Sequence, residues 1–207
     1  MDILTKILSA SVELFRQYGF KAVTMDDMAR RAGISKKTLY QHFANKQEVV
    51  NESVVWYRDK LCTHCQSLID DSDNPIDAML RMQVLLDQTY KQMNPIALLE
   101  LQRYFPEAYK TFRDNLQDVD VMLLKENILK GMAEGLYRQD INAELMARFR
   151  LETSLIMLQP NLLVNERYDL LVVTHEICEH FLYGIMTPKG EKIYQKYKDK
   201  YQKQVSK

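Results

Sequence analysis

Residues 24–43, TMDDMARRAGISKKTLYQHF, constrain this chain most, because two helix starts and one forced reversal fall within so short a stretch. Thr24 is a strong N-cap, and Asp27 stands three residues on in a capping-box arrangement. Met25, Met28 and Ala29 then supply an apolar face at helical spacing. At Gly33 the chain must reverse, since a helix ends most easily on a residue that takes positive φ without steric cost. Ile34 is an apolar plug, and Ser35 caps a second helix running from Lys36 to Phe43. Leu39 and Phe43, four apart, point inward together. Lys36, Lys37, Thr38, Tyr40, Gln41 and His42 are left facing out. The pattern predicts a helix-turn-helix, whose second helix enters the DNA major groove. The competing reading is an ordinary helical hairpin with a solvated basic face.

The flanks favour the helix-turn-helix. Residues 1–18 read as an amphipathic helix with Ile3, Ile7, Leu8, Val12, Leu14 and Phe15 as its stripe, closed by Tyr18-Gly19-Phe20. Asn45 and Glu48 form a second capping-box pattern that opens a long fourth helix.

The phrases LFRQYGF, TMDDMARRAGISKKTLYQHF and NKQEVV, in that order over residues 3–52, resemble the DNA-binding domain of the TetR family of bacterial transcriptional regulators. Beyond residue 52 the likeness is one of length and architecture. The resemblance implies a homodimer, an all-helical ligand-binding domain and an operator released when ligand binds. It also implies site roles. Thr24 and its helix N-terminus meet a phosphate, and Lys36 and Lys37 reach phosphates or guanine edges. Thr38 touches a base or thymine methyl. Tyr40 and His42 meet phosphates, Gln41 pairs with adenine, and Lys46 makes a further phosphate contact.

A net charge of zero argues at first against DNA binding, but its distribution does not. Residues 1–52 carry eight Lys/Arg against six Asp/Glu, residues 53–188 carry 13 against 20, and residues 189–207 carry seven against two. Screening limits the reach of distant charges to about 8–10 Å, so the acidic middle does not act on DNA bound at the N-terminus. With 46% hydrophobic residues, a size able to bury a core and no apolar run of about 18 residues, the chain is expected to be cytoplasmic and to have no membrane partner. Strand-like alternation is absent, so the expected class is all-α. The expected architecture is a three-helix DNA-binding domain over 1–52, joined by a long helix to a ligand-binding and dimerisation domain over 53–207.

Further helices are expected at about 46–70, 75–93, 95–103, 106–115, 117–136, 143–159 and 166–185, with Asn142 an N-cap. Residues 190–203 read either as a last packed helix or as a solvated basic end. The middle segments are rich in Met and aromatics. Met79, Met82, Leu86, Tyr90 and Met122 belong to this set, as do Arg103, Tyr104, Tyr109, Phe112 and Met157. Each alone reads as core, but together they predict an apolar cavity for a small hydrophobic effector. Leu145, Phe149 and Leu155 on one helix, and Leu170, Ile177 and Phe181 on another, read either as intrachain core or as a dimer surface. The family resemblance favours the dimer.

Cys62-Thr63-His64-Cys65 looks like a CxxC motif but has no second CxxC, and His175, Cys178 and His180 lack HExxH spacing, so neither a metal nor a cofactor is expected. No phosphate-binding glycine loop or nucleophile motif is present, so the chain does not read as an enzyme. The expected function is a ligand-responsive repressor bound to a palindromic operator. The alternative is a helical scaffold whose N-terminal head docks a protein.

Overall fold

The computed structural model describes residues 2–94, 96–155 and 170–205. Among these, regular structure is helical, and the only extended pairing is an isolated bridge between Tyr137 and Met186. No described helix is long and apolar enough to cross a membrane. The chain divides into two compact units. The first holds residues 1–61 and 92–115, and the second holds 62–91 and 116–207. The sequence-based boundary after residue 52 falls inside the first unit, which runs on to the middle of the fourth helix and includes a distant segment.

The first unit contains α1 (Ile3–Tyr18), α2 (Met25–Ala32), α3 (Lys36–His42) and α4 (Lys46–Asp70) as far as Leu61. It also contains α6 (Ala97–Tyr104) and α7 (Pro106–Asn115). Ile7, Leu8, Phe15, Met28, Leu39, Phe43, Val49 and Val50 fill its core, and Leu101, Phe105 and Ala108 of α6 and α7 join the same cluster. Full burial of each large side chain contributes roughly 1.5–3 kcal/mol, so the segment 92–115 is bound to the head by its core as well as by polar contacts. Phe20 stacks on Phe15 at 4.7 Å and meets Phe105 at 5.9 Å. The amphipathic reading of α1 holds in its middle, whereas Ile3 at the free end is exposed and Val12 and Leu14 are only half-buried.

Polar contacts seal the end of α1. The Asn94 N–H donates to the Arg16 carbonyl at 2.6 Å, satisfying an acceptor that the helix C-terminus leaves open. Glu100 Oε2 accepts the Lys21 N–H at 2.9 Å. Between them Gly19 sits at φ 82°, ψ 169°, a region only glycine adopts readily.

The second unit contains the rest of α4, then α5 (Pro75–Lys91), a π-helical turn (Leu116–Asp120), α8 (Val121–Ala133), α9 (Ala143–Leu155), α10 (Leu170–Ile185) and α11 (Pro188–Val205). The sequence pattern ran α8 from 117, but regular winding begins only at Val121 because the π-helical turn precedes it. The helix expected from Pro95 begins at Ala97, and Pro95 lies outside the described residues. Asn142 caps α9 as expected, accepting the Leu145 N–H at 3.0 Å. The tail resolves as a packed helix. Tyr194 and Tyr201 are buried, and the Tyr201 hydroxyl donates to the buried Asp77 at 2.5 Å.

A polar network crosses the interior of the second unit. Asp87, 1% exposed, accepts from Gln83 Nε2 at 2.8 Å and from the Thr174 hydroxyl at 3.2 Å, and faces His175 Nε2 at 2.5 Å. Arg150 reaches the same cluster by donating to Gln83 Oε1 at 2.7 Å. A buried carboxylate is tolerated because these donors replace its water.

Candidate nucleic-acid interface

The interface is built on α2, the glycine turn and α3. The capping box at Thr24 is complete. The Asp27 N–H donates to Thr24 Oγ1 at 3.2 Å, and the Thr24 N–H donates to Asp27 Oδ2 at 3.0 Å. The Thr24 hydroxyl also donates to Asp27 at 2.6 Å, which together with the Thr24 N–H bond holds the Asp27 carboxyl below its ordinary range. Gly33 takes the left-handed conformation at φ 68°, ψ 34°. Ser35 Oγ accepts the Thr38 N–H at 3.0 Å and opens α3.

The inward face of α3 is Leu39 (0% exposed), followed by Phe43 (4%) just past its end. Lys36, Lys37, Tyr40, Gln41 and His42 are exposed, with Tyr40 at 46% despite its large ring. An amphipathic helix of this length is held by its buried side, so the outer side chains stand on a fixed base. Thr38 departs from the outward set. It is half-buried, and its hydroxyl is 2.8 Å from that of Ser35, because it lies over the cap at the helix start. Lys36 pairs with Asp26 at 2.7 Å, and this hydrogen bond raises its ammonium above the ordinary value.

Lys46 is placed differently from a solvent-facing phosphate ligand. It is half-buried, donates to the Lys21 carbonyl at 3.3 Å and lies 5.7 Å over the Phe105 ring. Burial pushes its ammonium below the ordinary value. Sequence reasoning passed over Arg30, which lies in the last turn of α2, has an 80% exposed side chain and pairs with Asp27 at 2.5 Å. The signal was available, since a basic last turn beside an exposed glycine turn complements the helix dipole and faces the same solvent.

The expected effector residues fall in both units. Met79 and Tyr90 are buried on α5, Met82 and Leu86 are half-buried there, and Met122 on α8 is exposed. Arg103 and Tyr104 are exposed, and Tyr109 and Phe112 half-buried, in the first unit. Met157 lies outside the described residues, as does the Leu170 side chain. Within neither unit do all of them come together.

Of the expected dimer residues, Leu145 and Phe149 are exposed at 59% and 52%, and Leu155 and Ile177 are half-buried. Phe181 is buried within its own unit, 6.4 Å from the Phe149 ring and 6.0 Å below the Arg150 guanidinium. Among the described side chains of α10, Val172 and Tyr183 are large and exposed. Cys62, Cys65 and Cys178 form no disulfide, and no metal-binding cluster occurs among the described residues.

Residues 7–52 match the family model described as bacterial regulatory proteins, tetR family. The HTH-type transcriptional repressor KstR2 of Mycobacterium tuberculosis is 24% identical over 152 residues, covering 72% of this chain and 76% of its own length. A TetR-family regulator from Agrobacterium tumefaciens superposes with a TM-score of 0.72 at 17% identity, covering 89% of this chain and 98% of that one. FadR of Bacillus subtilis, solved in complex with stearoyl-CoA, superposes with a TM-score of 0.65 at 17% identity, covering 87% of this chain and 97% of that one. At such identities the superpositions establish the fold. The related sequences are transcriptional regulators and not enzymes. Residues 7–52 therefore match the helix-turn-helix model of the tetR family of bacterial regulatory proteins, and the chain as a whole is similar to transcriptional regulators of that family.

Proposed function

We propose that the chain is a cytoplasmic, ligand-responsive repressor that binds a palindromic operator as a homodimer and releases it when a small hydrophobic effector binds. The observation that carries this reading is the outer face of α3. Lys37, Tyr40, Gln41 and His42 stand in solvent on a helix anchored by Leu39. Arg30 adds a cation at the end of α2. Lysine and arginine release counterions from phosphates, tyrosine hydrogen-bonds them, and glutamine reads adenine.

The dimer is supported by two large exposed side chains on α9, Leu145 and Phe149, for which water is a costly neighbour. Two-fold symmetry would set the recognition helices about 34–36 Å apart, one DNA turn. A hydrophobic effector is supported by the Met-rich and aromatic side chains of α5, among them Met79, Met82 and Tyr90. It is also supported by relatives whose names include a ketosteroid regulator and a stearoyl-CoA complex. The 92–115 segment is part of the DNA-binding unit, so a shift of that segment changes the head directly. A hundredfold loss of operator affinity needs only about 2.7 kcal/mol of coupling.

A gel shift on the chain's own upstream DNA tests this. Retarded complex that weakens steeply with salt supports operator binding, and failure to shift any duplex at low ionic strength contradicts it.

A further inference from the structure

Cys62 and Cys65 lie in the second half of α4, where the second unit's share of that helix begins. Three residues apart on a regular helix, they are about 60° from each other around the axis and one turn apart along it. Both are half-buried, whereas Cys178, the third cysteine of the chain, is 3% exposed. No side chain of α4 beyond Arg58 is buried, so this stretch is held less firmly than the half that packs in the head. A groove of about 310 Å³, lined by His64 and Leu68 of α4 and by Arg81 and Leu85 of α5, opens the same stretch to solvent.

Distance decides what two such thiols can do. Side chains three apart on a helix keep their Cβ atoms about 5–6 Å from each other. A disulfide needs about 3.5–4.5 Å, so closing one would distort this turn. A single ion between the sulfurs fits the winding as it stands. Two metal–sulfur bonds of about 2.3 Å each hold the sulfurs up to about 4.6 Å apart, within reach of both side chains. Two thiolates are a soft donor set and select a soft ion. Structural zinc and iron–sulfur clusters take four protein ligands, and among the described residues no group of three or more His, Cys, Asp or Glu could hold a metal. His64, two residues from Cys62 and about 200° round the helix, does not converge on the pair. Copper(I), a closed-shell soft ion, is satisfied by a pair of thiolates in a near-linear arrangement.

We infer that Cys62 and Cys65 form a binding site for copper(I), a single ion held between the two sulfurs on one turn of α4. Binding converts two thiols and one copper(I) into a bis-thiolate complex of net charge −1 and releases two protons, with no electron transferred. A thiol engaged in a hydrogen bond is not barred from the site, because the ion takes the place of its proton. The half-exposed position lets water solvate the charge of the complex.

The reduced full-length protein is titrated anaerobically against the coloured copper(I)–bicinchoninate complex, after a count of its thiols. The count should be three per chain, and the protein should then draw one copper(I) per chain from the chelator. Cys62→Ser and Cys65→Ser should each weaken uptake about a hundredfold or more, the advantage lost when two joined donors become one. Cys178→Ser and His64→Ala should take up the ion as the native chain does. Circular dichroism checks that each variant keeps its helices. No uptake by the native chain, undiminished uptake in the Cys62 and Cys65 variants, or loss of uptake in Cys178→Ser overturns the assignment. A count of one thiol, with Cys62 joined to Cys65, overturns the geometric argument beneath it. The assay contains neither DNA nor effector, so its failure leaves the regulatory reading standing.

Discussion

Glu100 of α6 accepts the backbone N–H of Lys21 at 2.9 Å, and the same carboxylate occupies the space a side chain at position 19 would need. A Cβ on Gly19 would come within 2.5 Å of Glu100 Oε2. One acid from the middle of the sequence thus fastens the turn that follows α1.

Gly19→Ala is expected to destabilise the protein by about 1–3 kcal/mol, since it meets backbone strain at φ 82° and the Glu100 carboxylate together. Gly33→Asn, at a left-handed position with open space around it, should cost far less. Urea denaturation of both variants checks the contrast, and equal stabilities would contradict it.

The pH dependence of the second unit follows from His175. Its hydrogen bond to Asp87 raises its affinity for a proton above the ordinary value, against the opposing effect of burial. A raised folded-state value means the contribution is fully present below about pH 6.5 and is lost as pH rises through the higher folded value. Stability measured by chemical denaturation should therefore fall across that interval in the native chain. In His175→Phe that component of the slope should vanish, and an NMR titration should show the His175 ring titrating above a free histidine.

Removing the Tyr201 hydroxyl leaves the buried Asp77 with one donor fewer. Tyr201→Phe should cost about 1.5–3 kcal/mol, the range for a hydrogen bond to a charged group. Tyr183→Phe, on an exposed ring, should cost well under 1 kcal/mol. Thermal melts of the two variants distinguish a docked α11 from a loosely attached one.

Phe149→Lys should shift the protein toward monomer in analytical ultracentrifugation while leaving its helix content unchanged, because the side chain is half in solvent within its own chain. Phe181→Lys should instead unfold the second unit, its ring being buried.

The helix-turn-helix was legible because its signals are local. Thr24, Gly33 and Ser35 act within three or four residues, and Leu39 and Phe43 are fixed by one helical turn. The participation of α6 in the head was not legible. Leu101 and Phe105 carry no mark that separates packing on α1 from packing on a neighbouring helix. On α10 the difficulty was different. That helix is apolar around most of its circumference, so periodicity could not say which stripe stays free, and Phe181 turned inward while Val172 and Tyr183 remained outside. For Lys46 the sequence shows the position at the start of α4 but not the surroundings: its ammonium lies over Phe105 and its charge is partly desolvated there.

The outer face of α3 is tested most directly by a salt-dependent gel shift comparing the native chain with Lys37→Ala/Tyr40→Ala on its upstream DNA. Both substitutions lie in solvent, so the circular dichroism spectrum should be unchanged. The account predicts that the native complex forms, that the double variant loses it, and that the single Lys37→Ala change lowers the salt slope by about two, one contact from each protomer of the dimer. A double variant that still binds with the native affinity and the native salt slope would contradict it.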